Sequence, residues 1–228
     1  MSALGDLHAE LIECRKCRRL VKWREEVARV KRRAYRDETY WGRPVTGFGD
    51  PKARLLIVGL APGAHGANRT GRIFTGDRSG DFLYAALHRA RFANQATSRS
   101  RDDGLKLRDC YITCPVRCVP PDNKPTPREI ATCQGWLDRE LELLRPRVVL
   151  ALGHLAWGAC LRFLDWPAPT PDFSHGVRVQ HPASGLWLLG SFHVSQQNTQ
   201  TGRLTPAMFD AVLLRARSLL DRPAPRGG

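Results

Sequence analysis

Three groups of side chains in this 228-residue sequence have the types and spacing to do chemistry. The first is "SFHVSQQNTQTGRLT", residues 191–205, where His193 closes an apolar run and is followed by Gln196, Gln197, Asn198, Gln200 and Arg203. The stretch has no carboxylate, so it can bind and polarise a ligand but contains no strong base. The second group is the cysteines, and the third is a glycine-rich segment that surrounds Phe74 and Asp77.

Seven cysteines, an odd number, fit metal ligation in a reducing compartment better than a disulfide framework. Cys14 and Cys17 form a C-x2-C pair, whereas Cys118 and Cys133 are separated by the 14 residues "VPPDNKPTPREIAT". Four thiolates gathered by the fold can hold zinc or a 4Fe-4S cluster, and spacing alone separates the two poorly. A zinc ribbon usually shows two tight pairs, so the open second pair leans toward the cluster. Cys110, Cys114 and Cys160 fall on strand or helix faces and read as core.

"GLAPGAHGANRTGRIFTGDRSG", residues 59–80, holds six glycines. Gly66 and Gly71 have P-loop spacing, but Arg72-Ile73 follow where phosphate and magnesium chemistry requires Lys and Ser or Thr, which argues against an NTPase. A glycine-rich loop still lets backbone N–H groups approach a ligand closely. Within it Phe74 can be a stacking platform or a core plug, and His65 can reach a ligand. Asp77, the one carboxylate between residues 51 and 80, can cap the next helix or hold a water or cation.

The elements that position these groups are strands alternating with helices. A helix is expected over 4–20, then a charged, helical insertion over 23–41. "RLLIVGL" (54–60), "CYITC" (110–114), "RVVLALG" (147–153) and "GLWLLGSFHV" (185–194) read as buried parallel strands. Helices follow near 81–92, from Pro127 to Leu144 with a Thr126/Glu129 capping box, over 154–164, and from Pro206 with Phe209, Val212, Leu213, Ala216 and Leu220 inward. The pattern implies an α/β fold with right-handed crossovers. Ligands in such sheets bind beyond the carboxyl ends of the strands, so the glycine-rich loop, "PPDN" and "HVSQQN" should converge on one cleft. "HPAS", residues 181–184, precedes the last strand and should lie at the opposite end. One domain is expected over 1–221, with a disordered tail over 222–228.

Thirty-six basic against 22 acidic residues give a net charge of +14, which points to a polyanionic partner. No stretch approaches the roughly 20 apolar residues that span a bilayer, nor is there a secretory leader, so a soluble cytoplasmic protein without membrane attachment is expected.

"GLAPGAHGANRTGRIFTGD", the set Cys14, Cys17, Cys118 and Cys133 with "CVPPDNKPTP", and "FHVSQQNTQTGRLT" together resemble the iron-sulfur uracil-DNA glycosylases of the family 5 (type B) branch. The resemblance runs from residue 14 to about 205, nearly the whole chain. It implies a three-layer architecture with a four-stranded parallel sheet flanked by helices, a 4Fe-4S cluster held by the four cysteines, and a monomer associated with the nucleoid. It further implies hydrolytic excision of uracil, and of other deaminated bases such as hypoxanthine, from DNA. By position, Phe74 is similar to the ring that stacks on the base, and His193 to the histidine that contacts the base carbonyl. Asp77, Asn123 and Asn198 resemble the polar residues around base and water, while Gly63, Ala64, His65 and Cys114 line the base site. Gln196, Gln197, Gln200 and Arg203 fall in the loop that enters the duplex. The chain departs from many relatives at Ala64, where a polar or acidic residue activates water, at Cys114, where an asparagine reads uracil, and at His193-Val194-Ser195, commonly H-P-S.

Such chemistry needs little base strength, because an oxocarbenium-like sugar reacts with water, while a neutral histidine stabilises the departing base anion. Two readings from other classes stand beside it: a binder that traps flipped damaged bases without turnover, and a zinc-dependent nucleic-acid-binding module.

Overall fold

The computed structural model describes residues 2–222. Helix α1 (Ala3–Ile12) starts on Ser2, whose side chain accepts from the Gly5 N–H, and helix α2 (Arg18–Val30) follows. The single helix expected over 4–20 is thus broken: residues 14–17 form an extended link that holds Cys14 and Cys17 outside both helices. The stretch expected as a helical insertion over 23–41 is helical only to Val30. After the 3-10 turn Arg33–Tyr35 it runs against the glycine-rich loop, with Arg69 stacked 4.0 Å from the Tyr35 ring and ion-paired to Glu38.

Six strands form one sheet: β1 (Phe48–Gly49), β2 (Leu55–Val58), β3 (Cys110–Thr113), β4 (Val148–Leu152), β5 (Arg178–Gln180) and β6 (Trp187–Ser191). Their order is β1-β3-β2-β4-β6-β5. The expected all-parallel, four-stranded sheet is therefore corrected to a mixed, six-stranded one. The four central strands pair in parallel, with Leu55 opposite both Cys110 and Val148, and Val148 opposite Trp187. Antiparallel β1 and β5 close the two edges. Edge strands of two and three residues hold too little alternation to be read from sequence; short edges also limit pairing with other chains.

Alternate residues of each central strand face opposite helical layers, as the period of two requires. Leu55, Ile57, Val148, Leu150 and Leu152 pack with Leu83 and Leu87 of α4 (Arg78–Arg89) and with Phe209, Leu213 and Leu220 of α8 (Pro206–Leu220). Leu56, Val58, Val149 and Ala151 face Leu144 of α5 (Pro127–Leu144) and Ala156, Trp157 and Cys160 of α6 (His154–Phe163). The Thr126/Glu129 capping box forms as the sequence predicts. Two short helices, α3 (Ala67–Thr70) and α7 (Gln196–Gln200), lie in the loops after β2 and β6. Arg222, expected in the tail, is held through its carbonyl by Arg147 Nη2 at 2.8 Å; residues 223–228 lie outside the described residues. Among the described residues no helix is long and apolar enough to cross a membrane.

Candidate active site

At the carboxyl end of the sheet the loop after β2 meets the loop after β6. The rings of Phe74 and His193 stand 6.0 Å apart and 37° from coplanar. Phe74 has φ +50°, a left-handed conformation that a bulky residue adopts only when its surroundings enforce it. Here Tyr84 Oη donates to the Ile73 carbonyl, and Gly80 lies against the Phe74 carbonyl, where a Cβ would come within 1.9 Å of the oxygen. Only glycine at position 80 allows α4 to start so close to that backbone.

His193 is half-buried. Burial pushes its pKa down to about 4, so the ring is neutral near pH 7. Two residues fix the backbone around it. His175 Nδ1 accepts from the Phe192 N–H at 3.2 Å and its ring stacks on Phe192, and Asn198 Nδ2 donates to the His193 carbonyl at 2.8 Å. Asn198 thus reaches the site through the His193 backbone.

Of the two purposes open from sequence, Asp77 takes the helix cap. Its Oδ1 accepts from the Gly80 N–H at 2.9 Å and caps α4, while Oδ2 faces the glycine-rich loop. A Cβ on Gly66 would stand 1.9 Å from that oxygen, so the carboxylate occupies the space a side chain there would take. Burial raises the pKa of Asp77 above the ordinary carboxylate value, against the lowering effect of its hydrogen bond from Gly80. Gly63 lies on the same oxygen, with a would-be Cβ at 3.2 Å, and Ala64 and His65 form the turn that follows. His65 Nδ1 is 3.0 Å from Tyr40 Oη, and burial, with the Arg32 and Arg69 charges, depresses its pKa.

Cys114 follows β3 and is buried, its Sγ donating to the Val116 carbonyl at 3.1 Å; burial pushes the thiol up to about 12, so it is an uncharged wall. Asn123 does not join this group by any hydrogen bond among the described residues. It is exposed in the 3-10 turn Pro121–Asn123 with φ +56°, next to Asp122 at +53°. Gln196, Gln197 and Gln200, expected in a loop, lie on the short helix α7 with exposed side chains, capped by Ser195. Arg203 is exposed and its guanidinium stacks 4.8 Å from the Phe192 ring. His181 sits at the amino end of β6, as expected, and its Nδ1 accepts from the Ser184 N–H at 3.1 Å within a turn.

The four cysteines come from three segments. Cys14 and Cys17 lie in the α1–α2 link, Cys118 after β3 and Cys133 on α5. Two buried arginines face them, and sequence reading missed both. Arg24 Nη1 donates to Cys118 Sγ at 3.0 Å and to the Cys14 carbonyl at 3.2 Å. The Arg117 N–H donates to Cys133 Sγ at 3.4 Å, and its guanidinium pairs with buried Glu140. Nε of each arginine has no partner among the described residues. A signal existed for Arg24, since it interrupts the buried stripe Leu20, Val21, Val27 of α2 at a core position. No three His, Cys, Asp or Glu side chains among the described residues group closely enough to hold a single metal ion.

A family model described as the uracil DNA glycosylase superfamily matches residues 46–217. Over 220 residues the chain is 56% identical to a type-5 uracil-DNA glycosylase of Mycobacterium leprae, an alignment covering 95% of this chain and 96% of the relative. It is 53% identical to the enzyme of the same name from Thermus thermophilus, over 92% of this chain and 94% of the relative. Identity to that of Pyrobaculum aerophilum is 48%, over 92% and 91%. The match to the family model spans the central sheet from β1 to α8, including the Phe74–His193 pair, and on that ground the chain belongs to the uracil DNA glycosylase superfamily.

Proposed function

We propose that this protein is a monofunctional uracil-DNA glycosylase that extrudes a deaminated base from DNA, hydrolyses its N-glycosidic bond and leaves an abasic site. The observation that carries the reading is the neutral His193 facing Phe74 at the carboxyl end of the sheet. A base stacked on Phe74 presents its carbonyl edge toward the imidazole. Because the ring is neutral, one nitrogen donates to that oxygen as negative charge builds up on the leaving base. A preorganised donor of this kind contributes about 3 to 4 kcal/mol to the transition state. Asp77, held by its α4 cap, turns Oδ2 into the site and orients the water that adds to the oxocarbenium-like sugar. Its burial raises its pKa, which makes the ionised carboxylate a better proton acceptor. Asn198 acts by setting the His193 backbone, and Asn123, on its exposed turn, meets the DNA beside the pocket.

Hypoxanthine and other deaminated bases belong to the substrate range as well. A pocket built to hydrogen-bond one base edge rejects analogues strongly, whereas an apolar wall does not. Cys114, protonated and already donating to Val116, offers the base no such readout. Gln196, Gln197, Gln200 and Arg203 enter the vacated space and grip the backbone.

A 4Fe-4S cluster on Cys14, Cys17, Cys118 and Cys133 fits the residues present. Thiolate ligands add negative charge where the buried, incompletely paired Arg24 guanidinium donates to Cys118 Sγ, and where the Arg117 N–H donates to Cys133 Sγ. Bound there, the cluster supplies a covalent tie among three segments of the chain. We take residues 1–221 as one domain and the protein as a monomer of the cytoplasm, associated with the nucleoid through its charge of +14.

The test is alkali cleavage of oligonucleotides containing uracil or hypoxanthine after incubation with the protein. Wild type produces abasic sites in both, and His193→Ala lowers the single-turnover rate by about 10²- to 10³-fold. Intact strands with wild-type protein at stoichiometric amounts would overturn the enzyme reading.

A further inference from the structure

We infer that the loop Ser98–Asp103 is a second contact to the DNA backbone, in which Arg99 and Arg101 bind phosphates flanking the extruded nucleotide. The inference rests on the glycosylase reading for its partner. It starts from Arg72, which stands where a P-loop would need lysine and is only 4% exposed. Every nitrogen of its guanidinium is used. Nε donates to Thr75 Oγ1 at 2.9 Å, Nη1 to the Arg101 carbonyl at 3.1 Å, and Nη2 to Ser98 Oγ at 3.0 Å and to both Asp103 oxygens at 2.8 Å. Asp103 in turn accepts from the N–H groups of Arg99 at 2.7 Å, Ser100 at 3.3 Å and Leu105 at 3.1 Å. The loop is also tied to the site directly, because the Gly76 N–H donates to the Ser98 carbonyl at 2.9 Å, one residue before Asp77.

A buried ion pair of this kind contributes little net stability, because desolvation offsets attraction. What it does here is fix a six-residue loop against the segment that holds Phe74 and Asp77. The side chains so presented are Arg99, Ser100 and Arg101, all exposed. Neither arginine has a carboxylate partner among the described residues, and Arg101 is restrained by stacking 4.6 Å from the Trp41 ring, which leaves its N–H edges outward. Asp103 is consumed by Arg72, so Asp102 is the one unpaired carboxylate of the loop and the local balance stays positive. Free guanidiniums on a backbone already ordered lose little further entropy on binding, and their fork matches a phosphate. A base lying on Phe74 brings its own two phosphates to this rim, while Arg203 occupies the α7 side.

The experiment compares wild type, Arg99→Ala/Arg101→Ala, and a control, Lys106→Ala/Arg108→Ala. The control removes the same charge at the amino end of β3. Affinity for a duplex with a non-hydrolysable abasic-site analogue is measured over a salt series. Each phosphate contact contributes about 0.9 to the slope of log affinity against log salt, so losing both lowers the slope by about 1.8 in the double variant, while the control keeps the wild-type slope. An unchanged slope in the double variant, or an equal fall in the control, overturns the inference. Uracil excision by wild type is assayed alongside: excision with an unchanged slope sinks the loop alone, and absent excision sinks the glycosylase reading.

Discussion

His193 owes its chemistry to where it sits. An ordinary histidine titrates near 6.5, but burial brings this one to about 4, so the neutral ring persists across the working range. The sign of the linkage follows. The unfolded chain takes up this proton first, so stability falls as pH drops from 6.5 toward about 4, and the group contributes no pH dependence above 6.5. The excision rate should therefore show no break near 6.5, and the His193 imidazole followed by NMR should titrate close to 4. A break near 6.5 that disappears in His193→Ala would contradict this. That His193 would border the candidate site was legible from its place after an apolar run with amides behind it. That it is neutral was not, since the elements that bury it lie far away in the chain.

Helix α5 shows how elements are locked to one another. Its start was legible because a capping box is a local signal, Thr126 and Glu129 being three residues apart. Its most consequential residue was not. Glu140 is buried, accepts from Thr113 of β3 and from the Gly47 N–H, and pairs with Arg117. Burial raises its pKa, but Arg117, His8 and Thr113 outweigh that and hold it well below the usual carboxylate range. Glu140 thus joins α5 to β3 through Thr113 and to the segment after β3 through Arg117. Glu140→Ala leaves the Arg117 charge buried and should cost about 3 to 5 kcal/mol in thermal or urea unfolding. An apolar double replacement, Arg117→Met/Glu140→Leu, should recover most of that loss. A single variant as stable as wild type would show that the pair is not a lock. The broken helix over 4–20 and the two edge strands were illegible for a different reason: tertiary pairing, not local pattern, defines them.

Across the whole molecule, the proposed cluster on Cys14, Cys17, Cys118 and Cys133 would tie the N-terminal helical pair to α5 and to the loop after β3. Purified protein should hold iron and sulfide and absorb visible light. Removing the iron with a chelator should lower the Tm and open residues 14–30 to limited proteolysis, while the sheet and α8 stay protected. Stoichiometric zinc in place of iron, or a Tm unchanged by chelation, would remove the cluster from this account. The charge of +14 was legible as a preference for polyanions. Its distribution was not: Arg24, Arg72 and Arg117 are buried against sulfur or carboxylate, and Arg99, Arg101 and Arg203 remain outward.

The sequence by itself determined the alternation of central strands and helices, the cysteine set, and the segments that would border the site. Each of these follows from patterns within a few residues: burial period, caps, glycine-rich turns and thiol spacing. Only the tertiary structure decided that Phe74 meets His193, that Asp77 caps α4 while facing Gly66, and that Asn198 holds a backbone carbonyl. Those relations join residues distant along the chain, and packing of the helical layers on the sheet sets both their distances and their protonation.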